Sequence, residues 1–170
     1  MDITEMILTQ HHEQRRAFAL LDELHDADAA TLGAVWRRLE VLLEVHAEAE
    51  EQFFYPRLLD VGTGAGDADS VTEETKDAIK DHNEIRDAVR EVGRHQPGSP
   101  PWWDAVEQAR EANSDHMAEE ERQDLADFRL HADLATRHEI AVQFLTYESM
   151  HAAGIAPKND DPDAYVAEHQ

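Results

Sequence analysis

Residues 42–53 read Leu42-Leu43-Glu44-Val45-His46-Ala47-Glu48-Ala49-Glu50-Glu51-Gln52-Phe53, and this stretch indicates both fold and chemistry. Leu42, His46, Glu50 and Phe53 follow one another at intervals of four, four and three residues. This spacing is the period of one face of an α-helix. A histidine and a glutamate therefore interrupt an apolar helix face that is expected to pack toward a core. Because side chains four residues apart on a helix are neighbours, His46 and Glu50 can reach one ion.

Three further segments carry apolar residues with the same helical period. The four stripes are formed by Ile3, Ile7, Phe18 and Leu21; by Leu32, Val35, Leu39, Leu42 and Phe53; by Val71, Ile85, Val89 and Val92; and by Trp102, Val106 and Ala109. Loops rich in glycine and proline occupy residues 61–67 and 95–101, with a weaker break at residues 26–30. No segment shows the sustained alternation of a β-strand. We therefore predict an all-α, up-down antiparallel four-helix bundle.

The C-terminal part of the chain contains one further predicted helix and a polar tail. Ile140, Phe144 and Tyr147 share one face of a helix over residues 132–150. The acidic run at residues 160–163 is too polar to pack into a core. We expect one metal-binding domain over residues 1–155, followed by an extended or disordered tail over residues 156–170.

Composition and charge exclude several classes of function. The chain has 170 residues and no cysteine, which excludes disulfides, thiolate catalysis and iron–sulfur clusters. With 38 acidic and 15 basic residues, its net charge of -23 disfavours binding to nucleic acid or to an anionic membrane. No apolar run approaches the roughly 20 residues that cross a bilayer, and the first five residues lack the basic start of a secretory signal. We expect a cytoplasmic protein that is a monomer or a weak dimer.

The first and second predicted helices repeat as the third and fourth. The stretch of residues 10–17 aligns with residues 81–88, and residues 46–51 align with residues 116–121. The repeat places one inward-facing histidine on each bundle helix, namely His11, His46, His82 and His116. Glu50 and Glu120 each follow their histidine by four residues.

Metal binding explains this pattern better than isolated core histidines do. A single buried histidine most often forms a hydrogen bond with a backbone carbonyl. Four histidines related by a repeat, together with two glutamates, instead indicate that these side chains bind the same metal site. Six ligands exceed the four that a structural zinc takes. Mixed nitrogen and oxygen ligands favour two ions of iron or manganese, bridged by carboxylates, over calcium or magnesium.

The ligand order resembles that of a known family. His11, His46-x-x-x-Glu50, His82 and His116-x-x-x-Glu120 are similar to the pattern of the hemerythrin-like, or HHE cation-binding, domains. The segment Glu50-Glu51-Gln52-Phe53-Phe54-Tyr55-Pro56 looks like the end of that family's second helix. The resemblance covers about residues 1–130 and implies a non-heme di-iron centre, with two Fe ions, in an up-down four-helix bundle. The ligands it implies are His11, His46, Glu50, His82, His116 and Glu120.

One ligand position has an alternative. His12 can replace His11, although the repeat and the stripe from Ile7 to Phe18 favour His11. The remaining histidines lie off the repeat and are expected at the surface; they are His25, His95, His131, His138, His151 and His169.

Arg86 departs from the pattern of the oxygen carriers. Those hemerythrins have a further imidazole one turn after His82, and here that position holds Arg86. We expect Arg86 to approach the site, oppose Glu50 or Glu120 and act catalytically on a bound anion such as peroxide. The alternative is an arginine that extends along the helix to solvent.

Three classes of function fit these residues. The first is a protein that binds O2 or NO as a sensor, scavenger or store. The second is an enzyme that decomposes peroxide at an open iron position, and the third is iron sequestration without catalysis. The missing imidazole argues against reversible oxygen carriage. In each case the expected partner is a small diatomic molecule, peroxide or the metal itself.

Overall fold

The computed structural model describes residues 1–66 and 70–170, and this part of the chain is helical without strands. The helices are α1 (Ile3–Glu23), α2 (Ala29–Ala49), α3 (Tyr55–Val61), α4 (Val71–Val92), α5 (Pro100–Arg122), α6 (Asp124–His131), α7 (Leu134–Met150) and α8 (Pro162–His169), with a π-helical turn over Glu50–Phe54. The prediction of an all-α bundle with an additional C-terminal helix is confirmed. Asp67, the last residue of one predicted loop, lies outside the described residues.

Short polar side chains fix where the helices begin. Asp28 accepts hydrogen bonds from the first free amides of α2, and Asp133 does the same for α7. Such caps satisfy amides that have no partner within the helix. The fourth predicted helix divides into α5 and α6 at Gln123.

None of the described helices is long and apolar enough to cross a membrane.

Two apolar clusters fill the bundle, one on each side of the histidine and glutamate layer. The first contains Ile7, Phe54 and Phe128. The second contains Phe18 and Trp102, with the Trp102 ring 6.2 Å from that of Trp36. Since His11 lies between Ile7 and Phe18 along α1, the layer of polar side chains is enclosed by apolar packing at both ends.

Helix α7 packs on the bundle as predicted, but the tail does not stay extended. Ile140 and Phe144 are fully buried against the first cluster. The prediction of an extended or disordered tail is wrong for residues 162–169, which form α8 with Tyr165 and Val166 buried. The acidic run that suggested disorder instead provides a cap, because the Asp161 carboxylate accepts a hydrogen bond from the Ala164 amide.

We expect Tyr165→Phe to lower the free energy of unfolding by about 1 kcal/mol, the usual net value of one hydrogen bond. The Tyr165 hydroxyl donates to the Glu51 carbonyl oxygen, and this bond ties α8 to the π-helical turn. Urea unfolding of the two proteins measures the difference. Equal midpoints would show that α8 contributes nothing through this contact.

Candidate metal centre

The structure brings all six predicted ligands into one buried layer. Each of the long bundle helices contributes one histidine, and the glutamates come from the π-helical turn and from α5. All six residues are at most 3% exposed: His11, His46, Glu50, His82, His116 and Glu120. His12 points outward, is exposed, and bonds only the Leu8 carbonyl among its described contacts.

Four of these side chains form a first group, His11, His46, Glu50 and Glu120, whose ligand atoms all lie within 4.8 Å of one another. The Nε2 atom of His11 is 3.1 Å from Oε2 of Glu120. The Nε2 atom of His46 is 2.9 Å from Oε1 of Glu50. Two imidazole nitrogens and two carboxylates thus converge from α1, α2, α5 and the π-helical turn.

A second group of three residues shares Glu50 with the first. Its members are Glu50, His82 and His116. The Nε2 atom of His82 is 3.3 Å from the other Glu50 oxygen, Oε2, and 3.1 Å from Nε2 of His116. The two oxygens of Glu50 therefore face different groups of potential ligand atoms.

Several polar atoms on the inner faces of these groups have an ion-pair neighbour but no well-aligned hydrogen bond. These atoms are His11 Nε2, His46 Nε2, both carboxylate oxygens of Glu50 and Glu120 Oε2. Buried polar atoms are rarely left without a partner. Imidazole nitrogens and carboxylate oxygens that converge in this way suit divalent cations, so the residues fit the metals that the sequence predicts.

Attraction between the imidazoles and carboxylates of the layer shifts their pKa values. Burial alone would lower the pKa of the His82 imidazole, but its contacts with Glu50 and Glu51 raise it to about 9. Burial favours the neutral form of Glu50, yet His46 and His82 outweigh it and hold the pKa of that carboxyl well below its ordinary value. The negative layer thus holds protons where a cation would bind, and cation binding displaces them.

In three of the imidazoles, those of His11, His46 and His82, the outer nitrogen Nδ1 contacts another side chain. His11 Nδ1 lies 3.0 Å from Glu121 and His46 Nδ1 lies 2.6 Å from Gln10. Gln10 in turn donates to Glu148 of α7 at 2.8 Å. Such contacts fix the ring orientation of a metal-binding histidine and leave Nε2 free for the ion.

A comparison with protein-family models matched residues 2–127 to the hemerythrin HHE cation-binding domain. The chain belongs to this family. Comparisons with curated proteins and with solved structures gave no significant match. The hemerythrin match ends within α6, so α7 and α8 lie outside it; Phe144 of α7 nevertheless packs 5.8 Å from the His46 ring.

The π-helical turn brings two residues to this hemerythrin-type site that the sequence analysis did not assign to it. A π-turn closes with a hydrogen bond over five residues, here from the Tyr55 amide to the Glu50 carbonyl. Tyr55 consequently faces the same way as Glu50, and its hydroxyl donates to Glu120 at 3.2 Å. Burial and the charges of Glu120 and Glu50 raise the pKa of Tyr55 well above its usual value, which keeps this donor protonated.

Glu51 is the second of these residues. Its carboxylate lies 2.8 Å from Nδ1 of His82. A purely α-helical reading points Glu51 away from the face shared by His46 and Glu50, because adjacent helical residues differ by about 100°. Pro56, which has no amide to donate, is the one sequence signal near this change of helix type.

Arg86 occupies the position of the missing hemerythrin imidazole but does not make the contact that we expected. Among the described contacts, its guanidinium binds both oxygens of Glu51, at 2.9 and 2.7 Å, rather than Glu50 or Glu120. The alternative of an arginine extended to solvent is also wrong, since Arg86 is 1% exposed. Arg86 is therefore linked to His82 through Glu51, an arrangement that suits positioning of the imidazole rather than contact with a bound anion.

We expect Arg86→Met to weaken metal binding by about 10- to 100-fold, the usual effect of losing a group behind a metal ligand. Without Arg86, the buried Glu51 carboxylate loses its bidentate partner and no longer fixes His82. Competition between the protein and a chelator for Co²⁺ measures the change.

Arg15→Met is the matched control for that experiment. Arg15 also pairs with a carboxylate that contacts a histidine of the layer, because it lies 2.8 Å from Glu121, which contacts His11. The Arg15 side chain is 41% exposed, so water can replace it readily. Equal losses in the two variants would contradict the role given to Arg86.

Proposed function

We propose that this HHE domain binds two iron ions and reacts with O2, peroxide or NO, with peroxide decomposition as its main activity. The observation that supports two ions is the shared Glu50, whose oxygens face two separate groups of ligand atoms. Imidazole and carboxylate together suit iron. When bound, the irons supply Lewis-acid and redox chemistry for these small molecules.

The two groups offer unequal numbers of ligands. One contains four residues and the other contains Glu50, His82 and His116. Arg86, at the position of a further imidazole, is bound to Glu51. An ion held by the smaller group would have fewer protein ligands and more positions for an exogenous molecule, which supports peroxide chemistry over reversible oxygen carriage.

The surroundings of the layer limit access of bulk water. The rings of Tyr55 and Phe144 pack 5.7 Å from His82 and 5.8 Å from His46, respectively. Both aromatic residues are 0% exposed. The Tyr55 hydroxyl is held on Glu120 and is a proton donor within the ligand layer.

Metal analysis of the purified protein, combined with optical spectra in the presence and absence of air, tests the proposal. We expect two irons per chain, a near-ultraviolet charge-transfer band and hydrogen peroxide decomposition well above that of free iron. Reversible oxygen binding without peroxide turnover would contradict the proposed activity, and two stored irons without any reactivity would favour sequestration. One zinc, or no metal, would contradict the di-iron centre itself.

A further inference from the structure

An acidic cavity connects the surface to one end of the ligand layer. It has a volume of about 300 Å³ and lies between α4 and the segment formed by the end of α5 and the start of α6. His116 and Glu120, two of the six ligands, line it. Its other acidic lining residues include Glu74, Asp77, Asp81 and Asp124.

Glu74 is the buried group in this cavity that requires an explanation. It is 3% exposed, and neither of its carboxylate oxygens has a well-aligned hydrogen-bond donor. An unpaired buried carboxylate is costly, and a cation is one way to offset that cost. Its neighbour Asp124 is itself a buried acid, 5% exposed, so both carboxyls can be ionised at once only if a cation lies beside them.

Glu74 and Asp124 are close enough to share a proton. Burial raises the pKa of Glu74, and burial together with the charges of Glu120 and Glu74 raises the pKa of Asp124 well above its ordinary value. Glu120 and His116 line the same cavity as this pair, so the pair lies beside one end of the ligand layer. A divalent cation that replaced the shared proton would find oxygen ligands from two carboxylates.

We propose that Glu74 and Asp124 form a transient site for divalent cations, through which the metal passes from solvent to the His116–Glu120 end of the ligand layer. Two carboxylates, with water in the remaining positions, bind a divalent cation weakly, which suits transfer rather than storage. The acidic wall of the cavity attracts cations and raises their local concentration. The proposal rests on the proposed metal centre and adds the route by which it is filled.

Uptake of Co²⁺ by the metal-free protein, followed by stopped-flow absorption, tests this route without relying on any activity of the iron protein. We expect the double variant Glu74→Gln/Asp124→Asn to take up Co²⁺ at least about 10-fold more slowly, in line with the size of electrostatic effects on association. Its final Co²⁺ stoichiometry should equal that of the wild type, because none of the six ligands is changed. Uptake by the wild type should slow with added salt, and that dependence should weaken in the double variant.

Glu44→Gln is the matched control. Glu44 is a buried glutamate, 6% exposed, that does not line the cavity, so its uptake rate should equal that of the wild type. If the double variant fails to fold, Glu74→Gln alone should still slow uptake measurably. Equal rates in wild type and variants at full stoichiometry, or the same slowing in Glu44→Gln, would overturn the route while leaving the metal centre intact. Absence of Co²⁺ uptake by the wild type would instead overturn the metal centre and the route with it.

Discussion

Glu50→Ala is expected to abolish binding of both metal ions, because Glu50 is the one residue common to the two ligand groups. Its Oε1 lies 2.9 Å from His46 and its Oε2 lies 3.3 Å from His82, so the substitution removes an anionic ligand from each ion at once. The charge balance of the layer also changes, since fewer carboxylates then face the imidazoles. Metal analysis after desalting should find less than one ion per chain in the variant.

The controls for this substitution separate ligand loss from general damage. Glu44→Ala removes a buried glutamate of α2 that lies six residues before Glu50, and this variant should retain both ions. His131→Ala and His138→Ala remove exposed imidazoles and should retain both ions as well. Replacing His11 should release metal, whereas replacing the exposed His12 should not. Retention of both ions by Glu50→Ala, or equal loss from the exposed histidines, would contradict the assignment.

Removal of the metal is expected to lower the thermal midpoint of the protein by roughly 10 °C. A ligand present at about 1,000 times its Kd stabilises the folded state by about 4 kcal/mol, and each kcal/mol shifts the midpoint of a domain of this size by about 2–4 °C. The physical reason is that several buried atoms of the layer, both oxygens of Glu50 among them, lack a well-aligned hydrogen bond, and a bound cation would offset that cost. Differential scanning calorimetry before and after chelation measures the shift.

Restoring the metal provides the control for chelation. Addition of Fe²⁺ under anaerobic conditions should return the midpoint to its original value, and Glu50→Ala should show no response to either treatment. An unchanged melting curve after verified metal removal would mean that the layer is stable through its imidazole–carboxylate contacts alone, and that the ions do not hold the bundle together.

Much of the fold and of the candidate site was predictable from local sequence patterns. The helical period of the apolar stripes predicted the bundle, and the interruption of each stripe by a histidine predicted where the layer lies. Both depend on side chains three or four residues apart, which a regular helix brings together whatever the rest of the chain does. The internal repeat added His82 and His116 by analogy with His11 and His46.

The parts that the sequence missed depend on irregular backbone or on contacts between distant segments. One π-turn rotates Glu51 and Tyr55 toward the layer, so their roles could not follow from an α-helical period. The partner of Arg86 is Glu51, 35 residues away along the chain. Which carboxylate lies opposite an arginine is decided by how two helices are rotated against each other, and no local pattern encodes that rotation.

In the tail and the acidic cavity too, the sequence indicates polar residues, and only the folded chain shows that some of them are buried. Residues 160–163 are polar in sequence, but only the packed bundle provides the surface on which Tyr165 is buried and the Glu51 carbonyl that it binds. Glu74 and Asp124 are ordinary surface-type acids in sequence, and only the approach of α4 to the start of α6 buries them beside Glu120. The sequence by itself determined the helices and the ligand types, because these follow from short-range periodicity. Tertiary structure decided which carboxylates contact the candidate ligands and which line the proposed route to them, because burial and pairing depend on segments that meet only in the folded chain.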